Sequence, residues 1–404
     1  MRILLLVDCY LPSTKSGAKL IHDLACGIHD LGHDVVIASP DSDLDVPQRV
    51  TVEDGVTVLR VRTRRIKGVP KIVRAINEWR LSPVMWRAGK RFFRRTPCDL
   101  VVYYSPTIFF GALVGRLKRL WDCPAYLILR DIFPQWAVDA GVLRAGGPAY
   151  RFFRAKEMAQ YEVADVIGVQ SPANLDYFAE HGLSQRYRLE VLYHWTPASH
   201  GPIPQTDYRS RLGLEGKVVF FYGGNIGVAQ DMDNIVRLAE SVQDEAQIYF
   251  LLFGEGSEVG RLRTLIRSKG LSNISIHPAV DQQSYLGVLS EFDVGLITLD
   301  RGLHTQNFPG KMLGYMYFGM PTLASLNPGN DLGEILEQHE AGLVCLNGED
   351  QRLREHALRL AGDANLRRRI GENGRRLLRS QYTVERAARQ ILSHAEAAEG
   401  ARGE

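Results

Sequence analysis

The chain has 404 residues, with 49 Lys+Arg against 46 Asp+Glu and a formal net charge of +3. That length exceeds one ordinary hydrophobic core and implies two domains. No stretch of about 18 apolar residues occurs, so no transmembrane helix is expected. The opening MRILLLVDCY places Asp8 straight after a short apolar run and reads as a first strand, not a signal peptide. The five cysteines are scattered and lack CxxC spacing. This favours reduced thiols in a cytosol over a disulfide frame or a zinc site. The charge is uneven: from Arg60 to Arg95 there are 13 basic residues and one acid, Glu78.

Strand-like and helix-like segments alternate along the first half. Residues 3–7 form a buried strand, 19–31 have helical spacing, Gly32 ends them, and 35–39 are the next strand. Short β-rich runs follow at 56–61, 100–104, 125–129 and 166–169. This βαβ order implies a parallel sheet with helices on both faces. Residues 198–206, ASHGPIPQT, are the expected linker.

The second half repeats the pattern. Strands are expected at 218–222, 248–253, 274–277, 294–297, 322–324 and 342–345. Residues 353–380 are helical with a break near Gly362, and 384–397 form a last helix. The organisation is thus two Rossmann-like domains, 1–200 and 201–380, with a C-terminal helix at 381–404 that packs back on the first. Ligands are expected at the carboxyl ends of the strands.

Neither half carries GxGxxG after its first strand or a P-loop, and no HExxH, GxSxG or His/Cys metal spacing occurs. Asp41-Ser42-Asp43 has the look of a metal-binding DxD but sits in a Ser/Asp/Pro loop and reads as a solvated turn. The strand ends carry small and polar residues instead. Lys15-Ser16-Gly17 precedes the first helix. Arg130-Asp131 follows the apolar strand AYLIL, either as functional groups or as a salt bridge bracing the loop. Gly223-Gly224-Asn225 and Gly254-Glu255-Gly256 end successive strands and permit close backbone approach to a ligand.

Residues 306–321, QNFPGKMLGYMYFGMP, read as a loop entering a short helix. Asn307 suits its cap, Pro309 its first turn and Gly319 its end. Lys311 falls in the first turn, where the helix dipole repels a cation and attracts an anion. A lysine there makes sense with a phosphate; a solvated surface lysine is the alternative.

With LGHDV at 31–35, Glu157, Tyr161, Ala164-Asp165 and Ser171, YGGNIG at 222–227, FGEG at 253–256 and PGK…GMP, the chain resembles a family 4 glycosyltransferase of the GT-B fold. That fold has two Rossmann-like domains with parallel sheets facing across a cleft. RDIFPQWAVDAGVL, YGGNIG, QNFPGKMLGYM and NPGNDL are similar to bacterial O-antigen and lipopolysaccharide transferases, particularly fucosaminyltransferases. The resemblance implies a retaining, metal-independent transferase without a cofactor. It would move a sugar, N-acetylfucosamine or another N-acetylated hexosamine, from a UDP-sugar to a lipid-linked or lipopolysaccharide acceptor. The diphosphate would meet Gly224-Asn225 and Asn307, Phe308, Gly310 and Lys311. The ribose and uracil would lie near Gly254, Glu255, Gly256, Pro278 and Val280, and Gly17 would let the first loop approach the phosphates. Asn225, Lys311 and Asp131 would be catalytic. Lys311 would offset charge on the leaving UDP; Asp131 would position the acceptor hydroxyl or stabilise oxocarbenium-like charge. Two departures stand out. The family's EX7E carboxylates fall on Gln306 and Gly314, and Val228-Ala229-Gln230-Asp231 replaces its usual basic pair.

Basic residues interleave with Trp79, Trp86, Phe92 and Phe93 in 71–95, and Arg151-Phe152-Phe153-Arg154 repeats the theme. This suits docking on an anionic membrane surface, the inner face of the cytoplasmic membrane, by a cytoplasmic protein. No RNA-binding module is present, so no nucleic-acid partner is expected. A UDP-sugar 2-epimerase of the same fold and a non-catalytic sugar-binding protein are the rival functions.

Overall fold

The computed structural model describes residues 1–13, 15–66, 68–139, 141–303 and 308–403. They form two compact units, Met1–Ala198 with Thr383–Glu404, and Ser199–Tyr382.

In chain order the first unit contains β1 (Arg2–Leu6), α1 (Ser16–Asp30), β2 (Asp34–Asp41), β3 (Gln48–Glu53), β4 (Val56–Arg62), α2 (Lys71–Trp79) and α3 (Leu81–Arg95). Then come β5 (Leu100–Ser105), α4 (Gly111–Trp121), β6 (Ala125–Leu129), α5 (Gln135–Asp139), α6 (Pro148–Tyr161), β7 (Val166–Val169), α7 (Pro172–Glu180) and β8 (Leu189–Val191). The sheet order is β3-β4-β2-β1-β5-β6-β7-β8. Neighbours run parallel except β3, which pairs antiparallel with β4. Ile3 and Leu5 pack into one core cluster, Leu4 and Leu6 into another. Both sheet faces are therefore covered, which is why these strands read as unbroken apolar runs. Edge strand β3 escaped the sequence pattern because its valines face solvent: Val50 is 46% and Val52 71% exposed. The three-residue β8 was missed for its brevity.

The second unit contains α8 (Tyr208–Arg211), β9 (Val218–Gly223), α9 (Asp233–Ser241), β10 (Ile248–Phe253), α10 (Val259–Ser268), β11 (Ile274–His277) and α11 (Gln282–Ser290). After these come β12 (Val294–Thr298), α12 (Lys311–Phe318), β13 (Thr322–Leu326), α13 (Asp331–Gln338), β14 (Gly342–Leu346), α14 (Asp350–Gly362) and α15 (Ala364–Gln381). Its parallel sheet has the order β11-β10-β9-β12-β13-β14. The break between α14 and α15 has a cause: the Asp363 carboxylate accepts the Leu366 amide at 2.9 Å and starts a new helix. The last helix, α16 (Val384–Gly403), belongs to the first unit, where Val384, Ala388 and Ile391 share a core cluster with Ile21, Leu24 and Ile28 of α1.

The strand orders reverse direction at β1/β5 and at β9/β12. In open parallel sheets such a switch point leaves a crevice at the carboxyl ends, where ligands bind.

Helices α12 and α15 pack backbone to backbone. A Cβ on Gly371 would overlap the Gly319 carbonyl oxygen, whereas one on Gly362 would meet nothing within 4 Å. Gly371→Ala should therefore cost about 1–3 kcal/mol of stability. Gly362→Ala should gain up to about 1 kcal/mol through helix propensity. Chemical denaturation followed by circular dichroism checks both, and equal effects would contradict the close packing.

Candidate functional site

In the second unit the site is built from three carboxyl-end loops and one helix start. Gly224 and Asn225 follow β9. The Gly224 amide donates to Phe253 O at 2.9 Å, and the Ile226 amide to Glu255 O at 2.8 Å. The loops after β9 and β10 are thus laced together by backbone alone. A side chain cannot intervene: a Cβ on Gly254 would collide with the Gly224 carbonyl. Gly224 itself has φ +134, a conformation open to glycine. Gly256 follows on the same loop, with Glu255 exposed. After β11, Pro278 is exposed and Val280 half-buried, while His277 stacks on Phe253 with ring centroids 5.2 Å apart. These residues gather at adjacent strand ends, as the sequence pattern required.

Lys311 is the first residue of α12, and Gly310, not Asn307, holds the N-cap position. Asn307 and Gln306 lie outside the described residues. Phe308 is buried and its ring stacks on Tyr382 at 5.6 Å, so it anchors the helix start. Gly319 ends the helix at φ +66. The Lys311 ammonium sits 3.4 Å from the centroid of the Tyr222 ring. Its Nζ and Cε lie 3.5 Å from where a Gly224 Cβ would stand. Tyr222 is itself pinned, its hydroxyl donating to Asn225 O at 2.5 Å. Among the described residues no carboxylate pairs with Lys311. Desolvation pushes its pKa well below the ordinary lysine range. The Asn225 amide donates to Gln230 Oε1 at 2.8 Å, which leaves its own oxygen as an acceptor beside the exposed Gly224.

The two departures from the expected motif have physical counterparts. A Cβ on Gly314 would lie 2.8 Å from Leu289 Cδ1, so this position faces α11 and has no room for a longer side chain without a shift. Asp231 accepts the Asn347 amide at 2.9 Å and so braces the loop where a basic pair was expected.

In the first unit Gly17 lies in the first turn of α1, and a Cβ there would approach the Tyr104 hydroxyl at 3.1 Å. This is the β1/β5 switch point. Asp131 follows β6 and is exposed; surrounding protein still raises its carboxyl pKa by desolvation, with Arg130 acting in the opposite sense and Asp8 reinforcing the rise. Arg130 and Asp131 form no salt bridge among the described residues. Arg130 is instead buried, all three guanidinium nitrogens lack a hydrogen-bond partner, and its Cζ sits 4.7 Å over the Trp195 ring. Burial lowers its pKa to about 10, which leaves it charged at neutral pH. Next to it His194 is half-buried, and desolvation first and Arg130 second push its pKa well below the usual range. The sequence marked the Arg130-Asp131 dipeptide; the Trp195 platform, remote in sequence, left no signal.

The basic-aromatic stretch divides. Trp79 is 54% exposed, with Ile72 and Ile76 of α2 beside it in exposure. Phe93 is buried, and Trp86 stacks on it at 6.4 Å, so these two are core. Phe153 joins Phe109 and Phe133 in an aromatic cluster, and Phe152 is 42% exposed. Among the described residues no three His, Cys, Asp or Glu side chains are placed to hold a metal, and no helix is long and apolar enough to cross a membrane.

Two family models match the chain: Glycosyl transferase 4-like domain over residues 17–195 and Glycosyl transferases group 1 over residues 204–377. A putative colanic acid biosynthesis glycosyl transferase, WcaI of Escherichia coli (strain K12), is 23% identical over 63% of this chain. The match spans 64% of that relative's length. Sucrose-phosphate synthase from Thermosynechococcus elongatus superposes with TM-score 0.75 and 16% identity, covering 99% of this chain and 100% of that one. HepE of Anabaena, solved in complex with UDP, superposes with TM-score 0.70 and 15% identity, covering 98% and 100%.

An uncompensated, desolvated cation costs stability. Between its depressed folded pKa and the ordinary lysine value, the unfolded chain binds the extra proton, so the Lys311 contribution to stability rises with pH. Lys311→Met should therefore raise the melting temperature near neutral pH and flatten its rise into the alkaline range. A variant less stable than wild type would show that the ammonium is compensated.

Proposed function

Because the chain belongs by its two matched domains to the glycosyltransferases of GT-B fold, we propose that it transfers a sugar from a UDP-linked donor, with retained configuration and without a metal. The observation that carries this is Lys311: a cation without a carboxylate, at a helix start and a switch point, against a glycine loop. Negative charge is what this place lacks. The diphosphate of the donor supplies it, through Lys311 and the exposed backbone around Gly224, and Lys311 then offsets charge on the leaving UDP where a metal would otherwise do so. The Gly254–Gly256 loop and the Pro278–Val280 segment hold ribose and uracil. The likeness to a UDP-bound structure supports the choice of nucleotide.

Asp131 serves the acceptor side, positioning the attacking hydroxyl or stabilising positive charge on the donor sugar. The sugar is an N-acetylated hexosamine, N-acetylfucosamine among them, and the acceptor a lipid-linked saccharide or lipopolysaccharide. The likeness to a colanic acid enzyme supports a role in surface polysaccharide synthesis. The enzyme works at the inner face of the cytoplasmic membrane, held by the exposed Ile72, Ile76 and Trp79 of α2 and the basic face of α3.

A panel of nucleotide sugars tests the donor class. A ligand that binds only the folded state raises its melting temperature, so UDP-hexosamines should protect and GDP-sugars should not. With the protecting donor, Asp131→Asn and Lys311→Ala should each lower transfer roughly 100-fold or more with an unchanged circular dichroism spectrum. The acid limb of the pH–rate profile should lie above the usual aspartate range, as the raised pKa requires, and vanish in Asp131→Asn. Wild-type rates in both variants would overturn these roles, and donor turnover without acceptor would point to an epimerase.

A further inference from the structure

The first unit carries a second charged concavity, away from the β1/β5 switch point. It lies where β4 meets α2 and α3. One part, of about 290 Å³, is lined by Ser42, Arg62, Arg64, Asn77 and Arg80. A second part, of about 610 Å³, shares Arg62 and continues along α3 past Arg87 and Arg91.

The acids nearby are already engaged. Asp43 pairs with Arg65 at 3.4 Å, Asp45 with Arg49 at 2.8 Å, and Glu78 with Arg74 at 2.7 Å. Arg64, Arg80, Arg87 and Arg91 are exposed and have no ion pair among the described residues. The Asn77 amide is spent on the Arg65 carbonyl at 2.8 Å, so its side-chain oxygen is oriented and its nitrogen taken. The Arg62 guanidinium donates through Nη1 to the Asp45 carbonyl at 2.9 Å, which fixes its place in the lining. Several unpaired guanidinium groups around one hollow repel each other, and that repulsion is relieved by a multivalent anion. Guanidinium forks match phosphoryl oxygens in pairs.

Location narrows the class of anion. Ser42 and Arg62–Arg64 stand at the carboxyl ends of β2 and β4, the same sheet edge that carries Gly17 and Asp131. Helix α2, whose Asn77 lines the hollow, also carries exposed apolar side chains, with Ile72 76% and Trp79 54% exposed. A phosphoryl head beside an apolar body is the matching shape. We propose that this groove binds the phosphate or diphosphate group of an anionic amphiphilic acceptor, apart from the nucleotide site of the second unit. The proposal rests on the lipid-linked acceptor described above, and the groove sets which acceptors dock: those with a phosphoryl group near the sugar.

The probe is inorganic pyrophosphate, titrated by calorimetry into the full chain with the nucleotide site saturated by UDP. Wild type should bind one further pyrophosphate. Arg64→Ala/Arg80→Ala should weaken that binding at least 10-fold and leave the UDP-induced rise in melting temperature unchanged. Trp79→Ala should bind pyrophosphate as wild type does, which separates a phosphoryl site from adsorption to a membrane. No binding beyond the UDP site, or undiminished binding in the double variant, would overturn the proposal. If UDP itself fails to bind, the donor assignment falls, and the double variant still reads the groove by itself.

Discussion

Lys311 is held where a lysine ammonium is least at ease. It stands at the positive end of a helix, over the Tyr222 ring at 3.4 Å, with no carboxylate among the described residues to pair it. The ring quadrupole attracts it, while the helix dipole repels it. The chemistry proposed for the second unit depends on this debt: a site that lacks negative charge binds it strongly and rewards its growth on a leaving group. Stability is given up at the place where activity needs it, a common relation at functional sites.

Everything around Lys311 serves to hold that arrangement in place. Parallel strands bring the ends of β9 and β10 side by side, and amide-to-carbonyl bonds between them fix the loops. Gly254 allows the Gly224 carbonyl to stand where a Cβ would be, and Gly224 takes the φ +134 turn that the loop requires. The same economy of space explains Gly314. Its Cβ direction is closed by Leu289, so α12 packs on α11 at the position where the resembled family carries a carboxylate. With that carboxylate gone, nothing at position 314 competes with the donor for the Lys311 charge.

The central strands of both sheets were legible because they are buried on two faces, and a run such as AYLIL permits no other placement. Gly319 marked a helix end through its own backbone chemistry, and Gly362 marked the neighbourhood of a break that the Asp363 carboxylate makes. The edge strand β3 was hidden because its alternation puts valines in water, and the helix start shifted from Asn307 to Gly310, since a cap depends on local turn geometry. Aromatic residues in the basic stretch misled in part. Spacing cannot tell the buried Phe93 from the exposed Trp79, a distinction made by α4 and Trp121 packing from elsewhere in the chain. For the same reason Arg130 gave half its message: its charge was visible, its unpaired burial over Trp195 was not.

Donor binding turns on the charge state of one side chain. Nuclear magnetic resonance of Lys311 with a ¹³C label at Cε, titrated over pH with and without UDP, reads it directly. The free protein should show a pKa well below the ordinary lysine value, and UDP should move it upward. A Lys311 pKa that is ordinary in the free protein, or that UDP leaves unchanged, would contradict the assignment of this residue to the donor diphosphate.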